Sequence, residues 1–239
     1  MSQPLLIKLA RRDELSDEER HAIEAAIAKI ETVVAGHELV AEGARLNYSI
    51  LLIEGLCARC KIMRDGTRQI ASLHIDGDFI DLHSFVLKVM DHTIVALTQC
   101  RIAIVPHERL KLITERYPHL TRLLWLNTVI DAAIHREWLV SVGRRTVQAS
   151  LAHLLCEMYL RLQAVGKVAG WSFALPVTQA DLGDMLGLSV VHVNRNVKKL
   201  RETGFITWEG SRITIRNWDR LTELAEFDPT YLNLQVEAR

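Results

Sequence analysis

Apolar residues recur along this chain with two different periods, and the changes of period divide it. Over residues 13–30 they fall at helical spacing, with Leu15, Ile23, Ile27 and Ile30 on one side and Ser16 placed as a cap. Over residues 31–106 the period shortens. Short β-rich runs at 32–34, 48–53, 57–63, 69–75, 93–97 and 101–105 are punctuated by Gly36, Gly43, Gly55, Asp65-Gly66 and Asp76-Gly77. Many short strands at such spacing predict an antiparallel roll or sandwich. From His107 the helical period returns: one helix to Tyr117, then a long one restarted by Pro118 and running to about Val142. Leu120, Asn127 and Ile134 lie seven apart on it, as do Leu123 and Ile130. This heptad stripe predicts coiled-coil dimerisation, with Asn127 as a polar register device on the seam; packing on the chain's own domain is the alternative. Gly143-Arg144-Arg145 breaks the stripe as a possible hinge, and residues 146–163 form a further amphipathic helix.

Residues 176–206, PVTQADLGDMLGLSVVHVNRNVKKLRETGFI, carry the most information. Thr178 is a good N-cap, and Leu182, Met185 and Leu186 share one helical face. Gly187 supplies a left-handed turn residue, and Ser189 caps a second helix. Val190, Val193, Val197 and Leu200 then recur at helical spacing, while His192, Asn194, Arg195, Lys198 and Lys199 fall mostly on other faces. Two short helices joined by a Gly-containing turn match a helix-turn-helix, whose second helix enters the major groove of double-stranded DNA. Residues 205–215, FITWEGSRITI, read as a β-hairpin directly after it, the wing of a winged helix.

Formal net charge is zero over 239 residues, yet residues 143–217 hold ten Lys/Arg against five Asp/Glu. A basic C-terminal third on a neutral chain suits a DNA-binding domain fused to another function. Four cysteines, no signal peptide and no long apolar run lead to the expectation of a cytoplasmic protein without a membrane span.

The order of parts resembles the Crp/Fnr family of bacterial transcription regulators. In the roll the resemblance rests on Glu42-Gly43, Glu54-Gly55, Asp65-Gly66 and Gly77-Asp78; in the C-terminal part it rests on Thr178-Gln179, Gly187-Leu188-Ser189 and Asn194-Arg195. It implies an α+β chain: a jelly-roll-like antiparallel β-roll sensor over residues 1–117, a long dimerisation helix over 118–142 and a winged helix-turn-helix domain over 143–239. The resemblance also implies a homodimer that binds a palindromic operator and works with RNA polymerase. Arg195 matches the family arginine that reads guanine. Val191 stands where a glutamate commonly accepts from cytosine, and Val190 also occupies a base-facing position. Thr178, Gln179, His192 and Lys199 become candidate phosphate contacts, with Ser189, Asn194 and Lys198 completing the expected DNA surface.

What the sensor binds is open. Cyclic-nucleotide-binding members use a Gly-Glu-Leu segment and a phosphate-pairing arginine; this chain has Phe79-Ile80-Asp81-Leu82 and then Asp91-His92-Thr93, with no arginine there. An N-terminal cysteine cluster for an iron–sulfur centre is missing before Cys57. Cys57 and Cys60 fall three apart on a predicted strand and so point to opposite faces, while Cys100 and Cys156 are isolated in sequence. Haem, a thiol switch or another small-molecule effector remain, with Asp81, His83, His92 and Thr93 as candidate pocket residues. No metal site is expected, because spacing gives no histidine pair at ligand separation. The cofactor is therefore left unknown. A cupin-like enzyme is the outsider, and the chain lacks H-x-H, G-x-G-x-x-G and G-x-S-x-G motifs. A protein-binding adaptor is the other, and the basic excess disfavours it.

Overall fold

The computed structural model describes residues 3–238. Two helices open the chain, α1 (Gln3–Ala10) and α2 (Asp17–Ala26). Seven strands follow: β1 (Lys29–Val33), β2 (Glu38–Val40), β3 (Tyr48–Glu54), β4 (Cys57–Ile62), β5 (Arg68–His74), β6 (Thr93–Ala96) and β7 (Cys100–Pro106). Helices α3 (His107–Arg116), α4 (Pro118–Gly143) and α5 (Val147–Ala164) come next. The C-terminal part comprises β8 (Val168–Ala169), β9 (Ser172–Ala174), α6 (Gln179–Leu186), α7 (Val190–Glu202), β10 (Ile206–Glu209), β11 (Arg212–Ile215) and α8 (Trp218–Ala225).

The expected first helix is shorter than its apolar period. Ser16 and Glu19 close a reciprocal capping box at its start, but Ile27 is already extended, and Ile30 belongs to β1, paired with Ala103. Helix α1, the short β2 and the C-terminal α8 were not read from the sequence.

The roll consists of two antiparallel sheets, ordered β1-β7-β3 and β2-β6-β4-β5. Their facing sides share an apolar interior of Val40, Ile50, Leu52, Cys57, Ile94 and Ile102. Both sheets are also covered outside. Helices α1 to α3 and the first half of α4 bury Leu51, Ala103 and Val105. The outer side of β4 and β5 (Ala58, Cys60, Ile70, Leu73) packs into one cluster with the second half of α4, α5, α6 and α7. Strand β4 therefore shows no in–out alternation of burial, since both its faces are covered.

Helix α4 carries more than one apolar stripe. Leu120 and Leu123 are fully buried against the N-terminal helices, and Ile130 and Ile134 are buried against β5 and α5. The stripe expected to dimerise is thus spent inside its own chain. Asn127 is half-buried, with an Oδ1 that finds no hydrogen-bond partner. A second row, Trp125, Val129, Ala132 and Leu139, faces outward, with Trp125 66% and Leu139 73% exposed.

A buried polar network joins these layers. Asp78, on the turn after β5, pairs with Lys8 of α1 and accepts from Arg161 Nη2 of α5 at 3.0 Å. Arg161 also donates to Glu157 at 2.9 Å and to the Leu73 carbonyl at 2.7 Å. Glu157 in turn accepts from Trp138 of α4 (3.2 Å) and from the Tyr231 hydroxyl (2.9 Å) near the C-terminus. Gly77 makes room for this junction: a Cβ there would lie 2.8 Å from the Pro4 backbone.

Candidate nucleic-acid interface

The helix pair forms as its sequence dictates. The Thr178 hydroxyl oxygen accepts from the Asp181 amide at 3.0 Å, and the Asp181 carboxylate accepts from the Thr178 amide at 2.9 Å and from its hydroxyl at 2.7 Å. This capping box engages both Thr178 donors, so the residue expected at a phosphate is here a helix cap. Gln179 beside it is exposed. Asp181 also meets Arg68 of β5, whose Nη2 lies 2.6 Å away while its Nε reaches Asp184 at 2.7 Å. Gln69 adds a bond to the Met185 carbonyl at 3.2 Å. The first helix of the pair is thereby tied to the roll. The turn follows at Gly187 (φ +66°). Gly183 matters as much: a Cβ there would sit 2.6 Å from the Leu188 carbonyl oxygen.

In α7 Ser189 caps the His192 amide at 3.4 Å. Val193, Asn196 and Leu200 are buried, while Val191, His192, Asn194, Arg195, Lys198 and Lys199 are exposed. Val190, grouped by spacing with the apolar face, is 44% exposed because it precedes the turn where the helix meets its core. Asn196 takes an inward position instead, its Nδ2 donating to the His192 carbonyl at 2.9 Å. Lys198 makes only a loose exposed pair with Glu202 at 3.8 Å. Among the described residues Arg195 and Lys199 have no ion-pair partner, so both charges are available to a ligand. The hairpin forms with Ile206 opposite Ile215 and Glu209 opposite Arg212. Arg212 and Arg216 of the wing are exposed and alternate with buried Ile213 and Ile215; that alternation was the signal by which they could have been found.

The sensor candidates gather at one end of the roll. Asp81 is fully buried, and its Oδ1 accepts from the Ile50 amide at 2.6 Å while Oδ2 has no partner. Burial raises its carboxyl to about 7. Thr93 is buried and accepts from the Glu42 amide at 3.2 Å. His83 lies on a short 3-10 turn, Leu82–Phe85, and His92 just before β6. Fold topology brings their rings to 5.1 Å between centroids, which linear spacing could not reveal. Sequence reading also missed Arg59, a buried cation on β4, which donates to Asp131 of α4 at 2.7 Å and to the Ile80 carbonyl at 3.1 Å. An arginine set between the small apolar residues Ala58 and Cys60 was the available sign. The cavity beside His83, Asn127 and Asp131 holds about 50 Å³.

All four cysteines are buried and free. Cys57 faces the roll interior and Cys60 the opposite cluster, so the two do not converge. Cys100 is not isolated, however: the sheets bring its Sγ to 3.7 Å from that of Cys57.

Residues 149–224 match the Crp-like helix-turn-helix domain, and residues 30–117 match the cyclic nucleotide-binding domain. A probable transcriptional activator of Rhizobium leguminosarum bv. viciae is 30% identical over 217 residues, covering 89% of this chain and 85% of the relative. The chain belongs to the Crp/Fnr family of transcription regulators. Within that family, the transcriptional activator protein FnrL of Cereibacter sphaeroides is 28% identical over 200 residues, 81% of this chain and 79% of its own. The structure of FixK2 from Bradyrhizobium japonicum superposes with a TM-score of 0.75 at 26% identity, covering 83% of this chain and 97% of that one. The α+β architecture of Crp/Fnr proteins is present in full: β-sheet sensor domain, long helix and helix-turn-helix with a small sheet as wing. As a Crp/Fnr protein the chain is a DNA-binding transcription regulator and not an enzyme. No helix among the described residues is long and apolar enough to cross a membrane.

Proposed function

We propose that this chain acts as a homodimer on an imperfectly palindromic operator, placing two copies of α7 in successive major grooves about one helical turn apart. The observation that carries this reading is the division of α7: Val193, Asn196 and Leu200 seal its inner face, while Arg195 stands exposed and unpaired on the outer one. Arg195 reads guanine, and Val190 and Val191 offer an apolar surface suited to a thymine methyl. Gln179, His192, Asn194, Lys198, Lys199 and the wing arginines Arg212 and Arg216 position the backbone. The dimer forms through the outward row of α4 (Trp125, Val129, Ala132, Leu139), whose spacings of four, three and seven fit a heptad seam. Contact with RNA polymerase completes the regulator.

The sensor does not take a cyclic nucleotide in this reading. The buried Arg59 guanidinium is already engaged by Asp131, and Asp91 adds anionic character. A 50 Å³ cavity suits a ligand far smaller than a nucleotide or haem, whose sites span roughly 300–1,000 Å³. A thiol-redox regulator of the same architecture is the second reading, favoured by the 3.7 Å between Cys57 and Cys100. A peroxide would take one hydrogen from each thiol, leaving a disulfide and two waters. Intact mass with and without peroxide tests it: a chain two hydrogens lighter supports it, and unchanged mass refutes it. The main reading is tested by selecting operators from random DNA with the purified protein. Recovered two-fold symmetric sites support it, and sites without symmetry refute it.

A further inference from the structure

His83, His92 and Asp91 form a cluster that DNA binding does not use. One ring nitrogen from each histidine and one Asp91 carboxylate oxygen all lie within 4.8 Å of one another. The two histidines come from different segments, the 3-10 turn after β5 and the residue before β6, so the fold and not local sequence assembles them. Their hydrogen bonding is incomplete. His92 is 94% buried by its 6% exposure; its Nδ1 donates to Asp91 Oδ1 at 2.7 Å, and its Nε2 is buried without a partner. The Nε2 of His83 is likewise buried and unpartnered. Two buried ring nitrogens without hydrogen bonds, on rings 5.1 Å apart, call for a ligand.

The chemistry of the three groups narrows that ligand. A neutral imidazole offers a ring-nitrogen lone pair, and Asp91 adds a carboxylate beside the two rings. An anion would meet Asp91 and two neutral rings. A metal ion suits one ring nitrogen of each histidine together with the carboxylate beside them. Around a tetrahedral ion with bonds of about 2.0–2.1 Å, ligand atoms stand roughly 3.3 Å apart, so these groups, now within 4.8 Å of one another, close in on binding. Imidazole and carboxylate ligands suit zinc, cobalt or nickel better than magnesium or calcium, which prefer all-oxygen sites.

We propose that His83, His92 and Asp91 bind one divalent transition-metal ion per chain, with open coordination positions left to water. Asp91 is exposed and Val86, Leu87 and Val89 of the intervening loop are exposed too, so the ion has a path from solvent. The site lies next to the Arg59–Asp131 bridge to α4, and His83 lines the same cavity as Asn127 and Asp131. A second positive charge there would load that bridge. This coupling to α4 rests on the regulator reading, whereas metal binding itself does not.

The test uses the full chain, freed of metal with a chelator, then titrated with Zn²⁺ by calorimetry and with Co²⁺ by visible absorption. The expected result is one ion per chain, with cobalt ligand-field bands and no thiolate charge-transfer band. His83→Gln, His92→Gln and Asp91→Asn should each weaken binding at least tenfold. His37→Gln, at an exposed histidine, should change nothing. Melting of each metal-free variant checks its folding; should His92→Gln misfold, the half-buried His83→Gln carries the test. No uptake by the wild-type chain, uptake unchanged in His83→Gln, or a thiolate charge-transfer band would each overturn the proposal. A change of DNA affinity on adding Zn²⁺, absent in His83→Gln, would support the coupling to α4. Its absence with intact metal binding would overturn the coupling alone.

Discussion

Replacing Asp78 by Asn removes one charge at the junction of α1, β5 and α5 while keeping size and one acceptor. In the native chain the Asp78 side chain accepts from Lys8, from Arg161 at 3.0 Å and from the Ile75 amide at 3.0 Å, and is only 6% exposed. Removing one partner of a buried pair costs about 3–5 kcal/mol, because the other charge is left unpaired out of water. Two features push this case to the lower end. Arg161 retains Glu157 and the Leu73 carbonyl. Lys8 already has its pKa lowered by burial, so it can shed its proton and relieve the penalty. The expected loss is therefore about 3 kcal/mol. Glu54→Gln serves as control, since that exposed carboxylate makes only loose pairs at 3.8 and 3.9 Å and should matter by less than about 1 kcal/mol. Urea unfolding at fixed protein concentration measures both. Asp78 also has an acid signature. Burial alone would raise its carboxyl, but the Lys8 and Arg161 charges prevail and hold it well below the carboxylate range. Its stabilisation is present above the unfolded value of about 4 and is lost as pH falls through the lower folded value. Asp78→Asn should flatten that acid limb. A midpoint for Asp78→Asn no lower than that of Glu54→Gln would refute the reasoning.

Three further outcomes follow from the same geometry. Trp125→Glu should weaken self-association at least tenfold in sedimentation without unfolding the chain, whereas Leu123→Glu, at a fully buried site, should unfold it; the reverse pattern would restore the inner stripe as the dimer seam. Gly183→Ala should cost about 1–3 kcal/mol in thermal melts, since the new Cβ meets a backbone oxygen at 2.6 Å; an unchanged melting temperature would count against the close approach. Because the Asp81 carboxyl is raised to about 7, the folded state favours its proton, and stability should fall as pH rises from about 4 to about 7. Asp81→Asn should remove that slope, and a slope equal to wild type would show that Asp81 does not cause it.

The legible parts of this chain were those whose signals are local. Thr178, Gly187 and Ser189 act through bonds within a few residues, so the helix pair could be placed from sequence alone. Strands bounded by glycine turns were equally clear, although β2, three residues long, lacks a periodic signature. What needed three dimensions failed for a common reason. Helix α4 bears several apolar stripes, and periodicity does not say which of them the chain itself covers; Leu123 went inward and Trp125 outward. His83 with His92, and Cys57 with Cys100, meet only because the sheets fold over each other. Arg59 and Arg161 likewise meet Asp131 and Asp78 only because the fold brings these in from distant elements.

The most direct measurement is a footprint and salt titration of Arg195→Ala beside the wild-type protein on the selected operator. Arg195 is exposed, unpaired and remote from the buried face of α7, so the variant should fold normally. With one guanine contact per half-site, each worth about 1–3 kcal/mol, a dimer should lose roughly 30-fold to 10⁴-fold in specific affinity. Binding that remains should be non-specific and fall steeply with salt. An Arg195→Ala protein that protects the same bases at the same concentration as wild type would contradict the assignment of α7 as the reader of DNA.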